Sequence, residues 1–391
     1  MTVKALMGDF AAAYACKLCR PEVIPTYPIT PQTLIIEQIS EFIHDGDLDA
    51  DFIPADSEHS AMSIAIGAAS TGVRTFTATA SQGLALMHEM LYVPPQTRLP
   101  IVMVNVNRSL GAGSSIYVEY NDSMPERDSG WLQMYVESNQ EALDAVIQGY
   151  RVAEDARVVL PMMICLDGFL LSHTVERVDV PEQEKVDAFL PKFVPVNKLD
   201  PDNPSFINLA SSPEYSMEMR FQLESLMRGA ADVVDEVDAS FAKEFGRRYG
   251  GVIDTYRMED AEYALMTLGT ATSTARVAVD QLRAEGKKVG LIKLRFMRPF
   301  PHRRMAEATK HLKALGIFDR SLSFNGYGPV FTETRNSLYG SGLPLSNHVA
   351  GLGGRDLTVD VFVEMFAQIE QAAQGKKIPA CTWHGLRGEQ R

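Results

Sequence analysis

Over the first 171 residues, short β-rich runs alternate with helical stretches. That alternation constrains the fold more than any single motif, because strands joined through helices pair in parallel. The strand candidates are Val23–Ile24, Asp51–Ile53, Arg74–Ala78, Pro100–Asn105 and Val158–Leu166. Between them the apolar spacing predicts helices over Asp9–Cys19, Pro31–His44, Glu58–Ser70, Leu84–Tyr92 and Asn139–Glu154.

After His173 the pattern breaks. Pro181, Pro191, Pro195, Pro201, Pro204 and Pro213 interrupt any regular element, and the segment reads as a long connection. A mostly helical stretch follows from Glu214 to Phe245. A second strand–turn–helix unit begins with "YALMTLGTATSTARVAVDQLRAEG" and continues with "VGLIKLRFM" as the next strand. The expected organisation is an α/β parallel-sheet domain over 1–172, a Pro-rich connection and helical segment over 173–257, and a second α/β domain over 258–391. No internal repeat and no low-complexity tract is visible.

Fifty acidic against 37 basic residues leave a net charge of −13, with no Lys/Arg block, which argues against nucleic acid or an anionic membrane as partner. The apolar runs are shorter than the ~18 residues a membrane span needs. The N-terminus meets Asp9 without a secretory apolar region, so a cytoplasmic location is expected. Four cysteines, Cys16, Cys19, Cys165 and Cys381, do not make a disulfide framework. Cys16 and Cys19 read as packing residues in a helix of small side chains; a metal or redox half-site is the alternative, and no metal-ligand set is assigned.

Four places could carry chemistry. In "TYPITPQTLIIEQIS", Thr30 suits an N-cap and Pro31 the first helical position, with Ile35, Ile36 and Ile39 facing inward. Free amides and a partial positive charge at that end would suit a carboxylate or phosphate, although plain capping explains the same spacing. In "ADSEHSAMSIAIGAAS", Glu58 opens a helix of small and apolar residues. Such surroundings desolvate a carboxylate and suit proton transfer, while a first-turn dipole interaction is the alternative. His59 reads as a structural hydrogen-bonder.

In "TATASQGLALMHEM", Thr77, Thr79, Ser81, Gln82 and Gly83 gather at a strand's carboxyl end, where open α/β sheets bind ligands. Arg108 leaves the strand "PIVMVNVN" and enters a Gly/Ser-rich loop; an Arg there can clamp a carboxylate, or simply be exposed. The chain has no Walker A sequence, no dinucleotide-binding glycine fingerprint, no H-E-x-x-H and no cysteine set for an iron–sulfur cluster. It also lacks the G-D-G segment with downstream asparagines used for Mg²⁺ and thiamine diphosphate.

Taken together, "YPITPQT", "IPADSEHSAMSIAIGAASTGVRTFTATASQGLALMHEML", "LPIVMVNVNRSL", "RDSGW", "LPMMICLDGFLLSH", "KVGLIKLRFMRPFP", "DRSLSF" and "AGLGGRD" resemble the α subunit of the 2-oxoacid:ferredoxin oxidoreductases, the pyruvate oxidoreductase family. The resemblance runs along nearly the whole chain. It implies a pyrimidine-binding parallel-sheet domain for thiamine diphosphate, followed by a transketolase C-terminal-like α/β domain. It further implies a β subunit that supplies the diphosphate and Mg²⁺ half with a [4Fe-4S] cluster. Also implied are γ- and δ-type subunits, a ferredoxin or flavin acceptor, a dimer of heteromers, and coenzyme A as co-substrate.

By the same resemblance, Glu58 matches the glutamate that holds the aminopyrimidine and promotes loss of the thiazolium C2 proton. Pro28, Ile29, Ser81 and Gln82 fall beside the cofactor, and Thr30 and Arg108 match the residues that hold the substrate carboxylate. Family members carry an Ala-Pro segment and then a Trp-Asn-Asp-His run in the loop after the Arg. Here Gly113, Ser114, Tyr117 and Tyr120 replace them. Smaller side chains and two tyrosines suggest an enlarged wall facing an aryl 2-oxoacid such as phenylglyoxylate. Pyruvate, a branched-chain 2-oxoacid, or a non-redox thiamine enzyme subunit remain open.

Overall fold

Parallel pairing is what the alternation demands, and the computed structural model, which describes residues 2–111, 115–204, 206–207 and 211–388, shows it. The N-terminal unit runs β1 (Thr2–Met7), α1 (Gly8–Cys19), β2 (Val23–Thr26), α2 (Thr33–His44), β3 (Asp51–Pro54), α3 (Glu58–Ser70) and β4 (Phe76–Thr79). It continues with α4 (Ser81–Leu91), α5 (Val93–Thr97), β5 (Val102–Asn107), β6 (Leu132–Tyr135), α6 (Asn139–Ala153), β7 (Met162–Asp167) and β8 (Val175–Val180). After α7 (Gln183–Phe189) and α8 (Pro213–Phe245), the second unit runs β9 (Ile253–Tyr256), β10 (Tyr263–Thr267), α9 (Ala271–Ala284), β11 (Val289–Leu294) and β12 (Phe296–Arg298). It closes with α10 (His302–Thr309), β13 (Ala314–Asp319), α11 (Pro329–Ser337), β14 (Leu345–Val349), α12 (Val359–Ala373) and β15 (Cys381–Trp383).

The first sheet has the order β12-β6-β7-β5-β4, and a parallel bridge from Val23 to Thr75 brings the β2-β3 pair alongside it. β2, β3, β4, β5, β6 and β7 are mutually parallel, so their carboxyl ends share one edge. β5 and β7 are buried at every position, as a sheet covered on both faces requires. α6 covers one face and is itself almost wholly buried beneath α1 and α8.

The connection is more regular than its prolines suggest. β8 ends at Val180 before Pro181, and α7 ends at Phe189 before Pro191, so the prolines punctuate elements rather than abolish them. β8 runs antiparallel to β1, and the sequence reading missed both of these strands along with β6. α8 is one 33-residue helix whose second half buries Val233, Val234, Val237, Phe241 and Phe245 at helical spacing, ending at Gly246 in a left-handed cap.

The second sheet has the order β15-β14-β13-β10-β11-β9. β9 already belongs to it, ahead of the boundary expected at 257/258. The run "VGLIKLRFM" does not make one strand. Its first part, β11, lies in the second sheet, whereas β12 crosses to pair antiparallel with β6 of the first.

Arg295, buried at the crossing point, donates through Nε to Glu141 Oε1 (2.8 Å) and through Nη2 to Gln148 Oε1 (3.0 Å). Lys293 Nζ reaches Glu141 Oε2 at 2.6 Å. Burial pushes the Glu141 carboxyl up, but Lys293 and Arg295 more than offset this and hold it below the usual carboxylate range. Breaking one partner of such a buried cluster costs about 3–5 kcal/mol.

Cys16, Cys19 and Cys165 are free and buried, with thiols pushed up chiefly by burial. Among the described residues, no helix is long and apolar enough to cross a membrane.

Candidate active site

Each parallel strand of the first sheet delivers a turn to the same edge. The turns after β2, β3, β4, β5 and β7 bring in Ile29–Gln32, Ser57–Glu58, Ser81, Arg108 and Gly168–Phe169, the crevice where open α/β sheets bind ligands.

The turn after β2 is built differently from the expectation. α2 begins at Thr33, not Pro31, and Thr30 is exposed with no capping role. Gln32 organises this turn instead: its Oε1 accepts the Ile29 N–H at 3.2 Å, and its Nε2 donates to the Ala78 carbonyl at 2.8 Å. What Thr30 contributes is its carbonyl, which accepts from Arg108 Nη1 at 2.9 Å. Thr30 and Arg108 are therefore together, as expected, but through backbone rather than hydroxyl. Pro28 is exposed and Ile29 half-buried on the same turn.

Glu58 is the first residue of α3, which Ser57 caps by accepting the Ser60 N–H at 3.2 Å. Its side chain is buried, at 6% exposure, yet its carboxylate has no hydrogen-bond or ion-pair partner among the described residues. Beside it stands Thr79 Oγ1, also buried and unpartnered. Gly83 closes the other side: a Cβ there would come within 2.5 Å of Thr79 Oγ1 and 2.6 Å of Glu58 Oε1. The Thr79 hydroxyl and the Glu58 carboxylate thus meet beside a glycine where a Cβ would crowd both, an arrangement that can receive the polar groups of a ligand. His59 is outside it, 3.8 Å from Glu89 Oε2.

Several expected residues play other parts. Ser81 is fully buried and spends its hydroxyl on the Ser109 carbonyl at 2.8 Å, so it holds the loop rather than facing the crevice. Thr77 likewise donates to the Pro25 carbonyl at 2.9 Å. Gln82 is exposed on α4.

Tyr120 does not line a substrate wall. It is fully buried against Tyr135, with the Arg320 guanidinium over its ring and its hydroxyl donating to Asp167 Oδ1 at 2.8 Å. The reason is Asp167, a buried acid that also pairs with Arg320 Nη1 at 2.9 Å and draws Tyr120 inward. Tyr117 keeps its expected place at the rim, 46% exposed, with its ring 4.8 Å from that of Phe169. Gly113 and Ser114 lie outside the described residues.

The residues that the sequence reading missed are those that brace the loop. Glu119 Oε2 accepts from Ser109 Oγ (3.1 Å) and from the Gly353 N–H (2.9 Å), tying the loop to the second unit. Burial raises its carboxyl above the usual range despite these bonds. Asp122 accepts from donors on β5 and just after it, at the start of α4 and in its own loop. Neither has a sequence signature beyond a polar residue in a loop.

The profile of the family described as "Pyruvate flavodoxin/ferredoxin oxidoreductase, thiamine diP-bdg" matches residues 14–239, and that of "Pyruvate:ferredoxin oxidoreductase core domain II" matches residues 261–362. The chain belongs to the pyruvate:ferredoxin oxidoreductase family.

Among its relatives in that family, the pyruvate synthase subunit PorA of Methanothermobacter thermautotrophicus is 46% identical over 391 residues, covering 100% of both chains. The ketoisovalerate oxidoreductase subunit VorA of Pyrococcus horikoshii is 42% identical over 388 residues, covering 98% of each. A solved 2-oxoglutarate:ferredoxin oxidoreductase from Magnetococcus marinus, with 2-oxoglutarate, coenzyme A and succinyl-CoA bound, superimposes with a TM-score of 0.70 at 19% identity. That match covers 95% of this chain and 65% of the other. A split-gene transketolase in an inactive β4 tetramer gives a TM-score of 0.55 at 14% identity, over 94% and 98% of the two chains. At these identities the structural likeness is one of fold. The oxidoreductase chain is thus a parallel-sheet thiamine-diphosphate-binding domain followed by a transketolase-like α/β domain.

Proposed function

We propose that this chain is the α subunit of a heteromeric thiamine-diphosphate-dependent 2-oxoacid:acceptor oxidoreductase. A 2-oxoacid, coenzyme A and two one-electron acceptors give acyl-CoA, carbon dioxide, two reduced acceptors and a proton. The observation that carries this reading is the crevice itself, with an unpartnered buried carboxylate on one side and an arginine free to bind an anion on the other.

The donor set fits the aminopyrimidine half of the cofactor. Glu58 would hold a ring nitrogen and keep a proton there, Thr79 Oγ1 offers a second polar contact, and Gly83 leaves the necessary space. When bound with Mg²⁺, thiamine diphosphate supplies the carbon nucleophile and electron sink that decarboxylation of a 2-oxoacid needs. The chain's lack of a G-D-G segment supports a partner chain as the source of the Mg²⁺ and diphosphate half.

Arg108 would take the substrate carboxylate. Nη1 is spent on Thr30 O, and among the described residues Nη2 makes no hydrogen bond, so it would be the donor for an incoming anion. Ile29 and Pro28 flank the position on the turn that Gln32 holds.

The partners in this reading are a β subunit with a [4Fe-4S] cluster, γ- and δ-type subunits and a ferredoxin or flavin acceptor, arranged as a dimer of heteromers in the cytoplasm. For the substrate, the full-length likeness to pyruvate and ketoisovalerate enzymes supports a small aliphatic 2-oxoacid, pyruvate first. With Tyr120 withdrawn, half-exposed Tyr117 alone supports the second reading, an aryl 2-oxoacid such as phenylglyoxylate.

The test is an anaerobic assay of the complex purified through this chain, with thiamine diphosphate, Mg²⁺, coenzyme A and a viologen dye. Pyruvate, 2-oxoisovalerate, 2-oxoglutarate and phenylglyoxylate are compared at equal concentration. Coenzyme A-dependent dye reduction with one of them is expected. No reduction with any would overturn the reading, and preference for phenylglyoxylate would select the second substrate class.

A further inference from the structure

One buried carboxylate in the crevice has no part in the chemistry proposed above. Asp122 lies at the far end of the loop that Arg108 opens, 1% exposed. Its Oδ2 accepts the Arg108 N–H at 3.1 Å, the Ser81 N–H at 3.1 Å and Asn105 Nδ2 at 3.2 Å. Its Oδ1 accepts Asn107 Nδ2 at 2.8 Å and the Ser123 N–H at 2.8 Å.

A carboxylate is costly to place there. Burial pushes Asp122 up to about 6, and the bonds from Asn107, Arg108, Asn105 and Ser81 work against that rise. A loop that only needed closing could be closed by a serine or an asparagine. What a carboxylate adds is an oxygen that accepts from several donors at once, and here those donors come from β5 and the residue after it, from the start of α4 and from the loop itself.

Arg108 is the first residue after β5, and its guanidinium reaches Thr30. Ser81 opens α4 with a left-handed φ of 46°, two residues before the Gly83 that abuts Glu58. One oxygen atom of Asp122 therefore holds both the backbone that carries Arg108 and the turn that walls the Glu58 carboxylate.

We propose that Asp122 is a positioning residue that sets the separation between the Arg108 guanidinium and the Glu58 carboxylate, so that a 2-oxoacid held at Arg108 meets the reacting group at the right distance. The inference rests on the roles proposed above for Arg108 and Glu58. A brace for loop folding alone would change the amount of intact complex. A positioning residue changes the affinity of intact complex for substrate.

The experiment compares Asp122→Asn, Arg108→Ala and the double variant in the purified complex, by KM and kcat for the preferred 2-oxoacid. Asp122→Asn keeps the shape but turns one acceptor into a donor. KM should rise by about tenfold or more, with a smaller change in kcat, and the double variant should be no worse than Arg108→Ala alone. Hydrogen exchange should quicken in peptides spanning 79–84 and 106–110 and stay unchanged in the second sheet.

A normal KM for Asp122→Asn beside a raised KM for Arg108→Ala would overturn the inference and spare the site reading, as would effects that multiply in the double variant. A normal KM for Arg108→Ala would overturn the site reading and this inference with it. Should Asp122→Asn fail to assemble, Asn107→Ala removes one donor to the carboxylate and should raise KM about threefold; an unchanged KM there overturns the proposal.

Discussion

Arg108 Nη1 donates to the carbonyl oxygen of Thr30 at 2.9 Å, joining turns that lie 78 residues apart in the chain. In the proposed site, that bond would leave the remaining guanidinium donors for the substrate carboxylate. Arg108→Ala should raise KM for the 2-oxoacid by roughly 10- to 100-fold, since charge-assisted hydrogen bonds contribute about 1.5–3 kcal/mol. Arg108→Lys should recover only part of this, because an ammonium cannot keep Thr30 and offer a planar pair of donors together. Steady-state kinetics on the complex reads both.

Glu58 has no hydrogen-bond or ion-pair partner among the described residues, so its replacement should spare the fold. Glu58→Gln should leave the melting temperature near that of the wild type while kcat falls on the order of 10²-fold or more. Near-normal turnover would mean that another group does this work.

At Gly83 the added methyl group of an alanine would press within 2.6 Å of Glu58 Oε1 and 2.5 Å of Thr79 Oγ1. Gly83→Ala should weaken thiamine diphosphate binding at least about tenfold, as titration calorimetry on the complex would show, with a stability loss of about 1–3 kcal/mol.

Tyr120→Phe removes a hydroxyl from a buried acid and nothing from the crevice. Stability should fall by about 1–2 kcal/mol while the ranking of 2-oxoacid substrates stays the same. A change of substrate preference would return Tyr120 to the substrate wall.

In the second unit, His348 is fully buried, with Nδ1 3.0 Å from His384 Nε2 and Nε2 2.9 Å from Ser346 Oγ. Burial first, and then the neighbouring His384, lowers its pKa to about 3. His384 is itself held low by burial, against the pull of Glu364 at 3.7 Å. Below a pH of about 6.5 the unfolded chain takes up a proton that folded His348 refuses, so its contribution is complete above that value and is lost as pH falls toward about 3. The slope approaches about 1.4 kcal/mol per pH unit, and His348→Gln should flatten it in denaturant titrations across that window.

The sequence carried the architecture well where periodicity decides it. α1, α2, α3 and α6 stand within a few residues of the apolar stripes that announced them. It misled at Thr30–Pro31, because that pair meets the capping rules locally while Gln32, by reaching Ala78 across the sheet, decides where the helix begins. Tyr117 and Tyr120 are three residues apart in one loop, and nothing local says that Asp167 will bury one and leave the other at the rim. Asp122 was invisible for the same reason, since its donors come from β5, from α4 and from its own loop. Nor does an unbroken apolar run such as "VGLIKLRFM" reveal that its strand changes sheets at Arg295.

That change of sheets has a mechanical meaning. A strand lent by one unit to its neighbour works as a clasp: swinging the units apart would strip β12 from β6 and tear Arg295 away from Glu141, both inside the core. Hinge motion within this chain is therefore expensive. The crevice edge, carried by the sheet that receives β12, is thereby kept in one shape while its rim loops remain the parts that can move.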